Sequence, residues 1–150
     1  MLNLSLKGNA PPSSPPLDDI TYHKYADETI DLLMDFLDAL GDGHDIPGYD
    51  AVYAVRFLQY GLTKIRATQN GVVTLKLGSV GTYVVNKQPP NKQLWLSSPS
   101  SGPKRYDYDS ARHKWVYAHD NLAIEDLLKQ ELERALKIKV DLDLSVPRAH

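Results

Sequence analysis

The chain has 150 residues, no cysteine, and a formal net charge of −2 from 17 basic and 19 acidic side chains. One domain with an ordinary core is the expectation at this length. The missing thiols exclude disulfides, thiol catalysis and any cluster or zinc site held by the chain's own cysteines.

No apolar run reaches the length of a transmembrane helix, and the basic footprint is too weak for nucleic acid, so neither membrane nor nucleic acid is an expected partner. The charge is unevenly placed. Residues 18–50 carry ten acidic side chains against the single Lys24, and residues 51–150 carry fifteen basic against nine acidic. Such poles favour cations at one end and an acidic partner at the other.

Residues 1–17 are rich in Pro, Ser and Gly and are expected to be disordered. With no arginine and one lysine they are at best the remnant of a mitochondrial presequence. From Ile20 to Leu40 the pattern is helical: Tyr22, Tyr25, Thr29, Leu32, Phe36 and Leu40 recur at three- and four-residue steps, with Leu33 beside them. On the same helical wheel Asp27, Asp31, Asp35, Asp38 and Asp42 fall within an arc of roughly 80°, about opposite the apolar stripe. Gly41 and Gly43 are the stop signal.

A strand meander follows over 49–54, 71–77, 81–88, 93–98, 104–109 and 114–119, with short links that imply an antiparallel sheet. A second helix runs over 123–137, with Ile124, Leu127, Leu128, Leu132, Ala135 and Leu136 on its buried stripe and Asn121 or Asp120 as its cap. In the tail, Val140, Leu142, Leu144 and Val146 alternate with other residues, which predicts an extended segment packed along the domain before Pro147. Helix, meander and helix together predict an α+β two-layer sandwich, an antiparallel sheet with two helices on one face.

The stretch from Gly81 to Tyr108 is the most distinctive. It holds Asn-Lys-Gln twice, at 86–88 and 91–93, on either side of Pro89-Pro90. In the alternating run 93–97, Leu94 and Leu96 point one way while Gln93, Trp95 and Ser97 point the other. With the leucines in the core, Trp95 lies among amides and hydroxyls on the open face. Such a surface fits docking better than catalysis.

YADETIDLLMDFLDAL, GVVTLKLG, GTYVVNKQPPNKQLWLSSPSSGPKRYDY, WVYAHD and LLKQELERALKIKVDL together resemble frataxin in its eukaryotic mitochondrial form. The resemblance covers 18–144 and implies a frataxin-like domain over 18–146, with 147–150 as a tail. One departure is Ala123, where the family often has a capping serine. The other is Val55–Gln69, which separates YDAVYA from NGVVTLKLG. Val55-Arg56, Leu62-Thr63 and Gln69 are each compatible with codons that form splice signals, in the right order, so 55–69 is read as a translated intron. The competing reading is a genuine surface extension of the hairpin.

Two sites emerge. The acidic ridge sets like charges at i,i+4, which costs stability and invites a cation, though a solvated helix face is the plainer reading. Its candidate ligands are Asp27, Glu28, Asp31, Asp35, Asp38, Asp42, Asp50 and His23, with His44 a further possibility. This is an all-oxygen set with a histidine, suited to weakly held Fe²⁺, Fe³⁺ or Mn²⁺. The resemblance implies iron there, as Fe²⁺ or Fe³⁺. On the open sheet face, Trp95 within a polar rim near an arginine has the composition of an interaction hot spot, unless the insert simply covers it. By resemblance, Asn86, Gln88, Asn91, Gln93, Trp95 and Arg105 match the surface that docks on a cysteine desulfurase and its iron–sulfur scaffold protein. Trp115, Tyr117 and Leu96 are read as core, Tyr106 and Tyr108 as core or sheet surface, and His119 as structural.

The resemblance therefore implies an iron-binding accessory protein that activates iron–sulfur cluster assembly in the mitochondrial matrix, as a monomer or an iron-dependent oligomer. The alternative is a ferroxidase, an oxidoreductase that converts Fe²⁺ to Fe³⁺ on the ridge and stores iron.

Overall fold

The computed structural model describes residues 15–52, 55–57, 64–66 and 71–148. In chain order the elements are α1 (Asp19–Gly43), β1 (Tyr49–Val52), β2 (Val55–Phe57), β3 (Lys64–Arg66), β4 (Val72–Leu77), β5 (Thr82–Gln88), β6 (Gln93–Ser98), β7 (Gly102–Asp109), β8 (Lys114–Tyr117), β9 (Leu122–Ala123) and α2 (Ile124–Leu136). Strands β1, β4, β5, β6, β7, β8 and β9 form one antiparallel sheet in that order, and β2 pairs with β3 in a separate ribbon. The expected α+β sandwich is what the chain adopts. The period-2 pattern turns Val73, Leu75, Leu77, Tyr83, Val85, Leu94, Leu96, Tyr106 and Tyr108 toward the helices, where all are buried. Tyr106 and Tyr108 are thus core, as are Trp115 and Leu96, while Tyr117 is half-buried at the margin.

Helix α1 opens at Asp18, whose side chain accepts from the Thr21 amide at 2.7 Å, a bond that lowers the carboxyl's pKa. Its core face is rotated from the expected stripe. Tyr22, Ala26, Thr29, Ile30, Leu33, Met34, Leu37 and Leu40 are buried, while Tyr25, Leu32 and Phe36 flank the core. The small Ala26 lets the helix approach the sheet closely, and the larger side chains flank that line. The rotation carries the Asp27 and Asp38 side of the ridge toward the core, so these two are half-buried while Asp31, Asp35 and Asp42 are exposed. Gly41 does more than stop the helix, which runs on to Gly43: a Cβ there would lie 2.6 Å from the Tyr49 ring. The Tyr49 hydroxyl reaches over that glycine to donate to the Leu37 carbonyl.

Helix α2 departs from expectation at its start. Its N-cap position is Ala123, with no side-chain cap. Asn121 instead takes a left-handed conformation (φ 62°) in the turn, and Asp120 accepts from the Leu122 amide at 2.9 Å. The Asn121 Oδ1 accepts from the Arg112 guanidinium at 3.3 Å, so neither oxygen caps the helix. Asp126 in the first turn complements the helix dipole in place of a cap.

Leu17 already packs on the core, and residues 1–14 of the expected N-terminal segment lie outside the described residues. The tail packs as its alternation predicts: Val140, Leu144 and Val146 are buried. It is tied across the domain. The Leu144 amide donates to Glu125 Oε2 at 2.7 Å, the Val146 amide donates to the His113 carbonyl at 3.0 Å, and the Val146 carbonyl accepts from the Tyr108 hydroxyl at 2.5 Å.

Glu125 is 2 % exposed and its Oε1 is unsatisfied among the described residues. Burial raises its pKa above the usual carboxyl value of 4.5. The folded state therefore holds a proton that the unfolded chain releases, and stability falls as pH rises from 4.5 through the raised value. Glu125→Gln keeps an acceptor for Leu144 and removes the titration. In urea melts from pH 4.5 to 7.5 the wild type is expected to lose stability relative to this variant as pH rises. Parallel curves for the two proteins refute a titrating Glu125.

The β1–β4 pairs run Tyr49↔Leu77, Asp50↔Lys76, Ala51↔Leu75 and Val52↔Thr74. Of the expected insert only β2 and β3 are described, and residues 58–63 and 67–69 lie outside the described residues. Two further steps of the β1–β4 register would set 54 opposite 72. A chain without 55–69 then closes with Asn70-Gly71 alone, the favoured two-residue turn. Gly71 is already at φ +57°, the sign its place in that turn requires. We propose that residues 55–69 are a translated intron outside the native domain. Deleting them is expected to preserve the amide spectrum of β5–β8 and to add roughly 1–2 kcal/mol of stability through the shorter loop. Mature transcripts are expected to lack these codons. Loss of cooperative unfolding in the shortened chain, or mature messenger RNA that keeps the codons, refutes the proposal.

Candidate functional site

The open face of the sheet gathers the polar residues that the alternation sets away from the core. β5 and β6 pair as Val84↔Ser97, Asn86↔Trp95 and Gln88↔Gln93, and β6 and β7 pair with Trp95↔Arg105. Two rows result. One runs Asn86, Trp95, Arg105 across three strands, and the next begins Gln88, Gln93. Asn91 stands apart from them, exposed in the short 3-10 turn Pro89–Asn91 that closes the hairpin.

Trp95 is held on two sides. Its Nε1–H donates to Gln93 Oε1 at 3.0 Å, and the Arg105 guanidinium lies 4.7 Å from its ring centroid. The Gln93 Nε2 donates to Asp107 Oδ1 at 3.1 Å. These neighbours flank the half-buried indole. Beside them is a depression of about 350 Å³ whose walls include Lys104, Arg105, Tyr117 and His119. The His119 ring is exposed and lies 4.9 Å from that of Tyr117.

The hairpin that carries these rows is fastened from below. The Tyr22 hydroxyl, on α1, donates to the Gln93 carbonyl at 2.8 Å and accepts from the Gln88 amide at 3.1 Å. One buried hydroxyl thus satisfies both strands at the last pair before the turn. Burial pushes its pKa up to about 12, so it stays a donor throughout the physiological range. Lys87, on the core side between Asn86 and Gln88, passes its stem under Gly71, where a Cβ would sit 2.6 Å from it, and reaches Asp27 Oδ1 at 2.6 Å.

On α1 the ridge candidates divide. Asp31, Asp35 and Asp42 project to solvent and Asp38 is half-buried. Asp27 is paired with Lys87, and Glu28 accepts from the Arg148 amide at 2.8 Å. His23 is exposed, its ring 5.1 Å from that of Tyr22. Asp50 is on β1 opposite Lys76 rather than on the helix, and its side chain lies outside the described residues. His44 sits at the end of α1, with Nδ1 3.3 Å from the Leu40 carbonyl. Among the described residues no three His, Asp or Glu side chains converge closely enough to enclose a metal ion. The ridge offers a row of carboxylates rather than a cage.

The family model of the frataxin-like domain matches residues 15–138. This chain belongs to the frataxin family. It is 42% identical over 117 residues to the mitochondrial frataxin of Arabidopsis thaliana, covering 78% of this chain and 54% of that protein. It is 39% identical to the mitochondrial frataxin homologue of Drosophila melanogaster, covering 81% of this chain and 58% of that one. The chain thus spans little more than half the length of these relatives. Among solved structures it is similar to a trimeric frataxin from Saccharomyces cerevisiae described as complexed with ferrous, with 34% identity, a TM-score of 0.55, and coverage of 85% and 94% of the two chains. A frataxin from Psychromonas ingrahamii at 20% identity and TM-score 0.58, covering 83% and 97%, shares the fold. The curated relatives carry mitochondrial names, and a mitochondrial location holds for this frataxin. No helix among the described residues is long and apolar enough to cross a membrane.

Sequence reasoning missed Tyr22, Lys87, Asp107 and Arg148 as partners of these groups. The alternation of β5 already turned Lys87 inward with Val85, which was a usable signal. The contacts of Tyr22 and Arg148 bridge 66 to 120 residues and carried no local sign.

Tyr22→Phe keeps the ring and leaves the Gln88 amide and Gln93 carbonyl without their partner. A loss of about 1–3 kcal/mol is expected in denaturant melts, with faster amide exchange at Gln88 than at Val84. Unchanged stability and exchange show that the hydroxyl is not the fastener.

Proposed function

We propose that this frataxin is an iron-binding accessory protein and activator of mitochondrial iron–sulfur cluster assembly that docks its open sheet face on the cysteine desulfurase–scaffold complex. The observation that carries the docking is the arrangement of Asn86, Trp95 and Arg105 in one row across β5, β6 and β7, with the indole held between Gln93 and Arg105. A rigid aromatic anchor inside a polar rim is the composition of a binding hot spot. The exposed Arg105 presents N–H groups at the edge of its stacked plane, which suits a carboxylate on the partner.

Iron enters as cargo. Asp31, Asp35, Asp38 and Asp42 present oxygens along one side of α1, a geometry for hard, weakly held ions. Asp27 and Glu28 join the row only in exchange for their internal partners. The yeast relative described with ferrous supports iron as the ion. Iron-dependent oligomerisation belongs to the same proposal.

Trp95→Ala is expected to lower activation of cluster assembly about tenfold or more and to spare iron binding and oxidation. Replacing Asp31, Asp35 and Asp38 together with Asn is expected to do the reverse. Assembly rates, and ferrous binding by calorimetry, read the two arms. If Trp95→Ala assembles clusters at the wild-type rate, the docking reading fails. If the ridge variant binds iron as well as wild type, the ridge assignment fails.

A further inference from the structure

Asp107 is absent from the docking set above, yet it stands beside it. Strand alternation puts it on the same open face as Arg105, two residues on. The β6–β7 pairs run from Ser98↔Gly102 to Leu94↔Tyr106, and one further step sets Asp107 opposite Gln93. Gln93, Trp95, Arg105 and Asp107 therefore form a two-by-two block across two strands.

The hydrogen bonds in that block have a direction. The indole N–H can only donate, so it needs the oxygen of Gln93, and it finds that oxygen at 3.0 Å. A carboxylate can only accept, so Asp107 needs the Gln93 NH₂, which it meets at 3.1 Å. A glutamine amide flips by half a turn at little steric cost. Flipped, it would set its NH₂ against the indole N–H and its oxygen against the carboxylate, two donors facing at one end and two acceptors at the other. Asp107 thus selects the amide orientation that receives Trp95. With Arg105 4.7 Å over the ring, the indole is held at its edge and on its face.

Resting on the docking reading, we propose that Asp107 is a positioning residue: through Gln93 it locks the rotamer of Trp95, so that the anchor meets its partner already ordered. Ordering an anchor before binding removes the entropy cost of ordering it on contact.

The indole N–H resonances of the full-length chain test this directly by NMR. Trp115, whose Nε1 donates to Thr29 Oγ1 at 2.9 Å in the core, is the internal control for the fold. In Asp107→Ala the Trp95 indole signal is expected to shift and to exchange with water at least about fivefold faster, with the Trp115 signal unmoved. Asp107→Asn keeps an oxygen for the Gln93 amide and is expected to restore most of the wild-type signal. Affinity for the purified desulfurase–scaffold complex is expected to fall about threefold to tenfold in Asp107→Ala and to recover in Asp107→Asn. An unchanged Trp95 indole signal in Asp107→Ala overturns the positioning role. A shifted, fast-exchanging indole together with wild-type affinity upholds the positioning and overturns the docking assignment of Trp95.

Discussion

A single buried hydroxyl joins the two halves of this domain. Tyr22, in the first turn of α1, accepts from Gln88 and donates to Gln93, the two residues that close the β5–β6 hairpin. At the mouth of a hairpin the strands diverge, and backbone groups there lose their ladder partners. Covered by a helix, they would be stranded away from water. The hydroxyl removes that penalty and in doing so sets where α1 crosses the sheet. Trp115 does the same further along, donating to Thr29. Once the helix is placed by these two bonds, the acidic ridge and the rows on the open sheet face have a determined relation to each other.

That relation links the two candidate sites chemically as well. Asn86 and Gln88 face outward with Trp95, while Lys87 between them turns inward and neutralises Asp27. A row of like charges on one helix repels itself, and the domain relieves part of this from within. Lys87 takes Asp27, the Arg148 amide takes Glu28, and Lys92 stands 3.6 Å from Asp19. These three contacts lie in the first half of α1, nearest the hairpin. The stretch from Asp31 to Asp42 projects away from that end, and there the helix dipole adds to the negative potential. The two candidate sites thus occupy separate surfaces of one sandwich.

The interior spends its buried carboxylates on shape. Glu131 receives the hydroxyls of Tyr83, Ser98 and Ser101, and Ser98 in turn accepts from the amides of residues 100 and 101. This network holds the β6–β7 turn, and with it the two strands that carry Trp95 and Arg105. Glu125 ties the tail to α2 in a similar way, but with one oxygen unsatisfied among the described residues. A fully satisfied carboxylate rigidifies, whereas a half-satisfied one favours its proton.

The ribbon β2–β3 and the short β9 aside, the amino-acid sequence by itself determined the sandwich, the order of its main elements and the outward set of Asn86, Gln88, Gln93 and Trp95. Those follow from periodicity, and periodicity is local: period 2 assigns faces and period 3.6 assigns stripes. It also set the aspartates on one side of α1. Where that helix would turn was not legible to within one position, because Ala26 and Ile30 compete with Tyr25, Leu32 and Phe36 for the core and only packing against the sheet decides between them. The start of α2 departs from expectation for a related reason: Asn121 and Asp120 are good caps whose oxygens are taken by the Arg112 guanidinium and the Leu122 amide. Tertiary structure alone decided that Asp27 meets Lys87, that Glu28 meets the Arg148 amide, and that Asp107 meets Gln93. These contacts join residues distant in sequence, and their partners are chosen by strand register and helix placement, which no local pattern encodes.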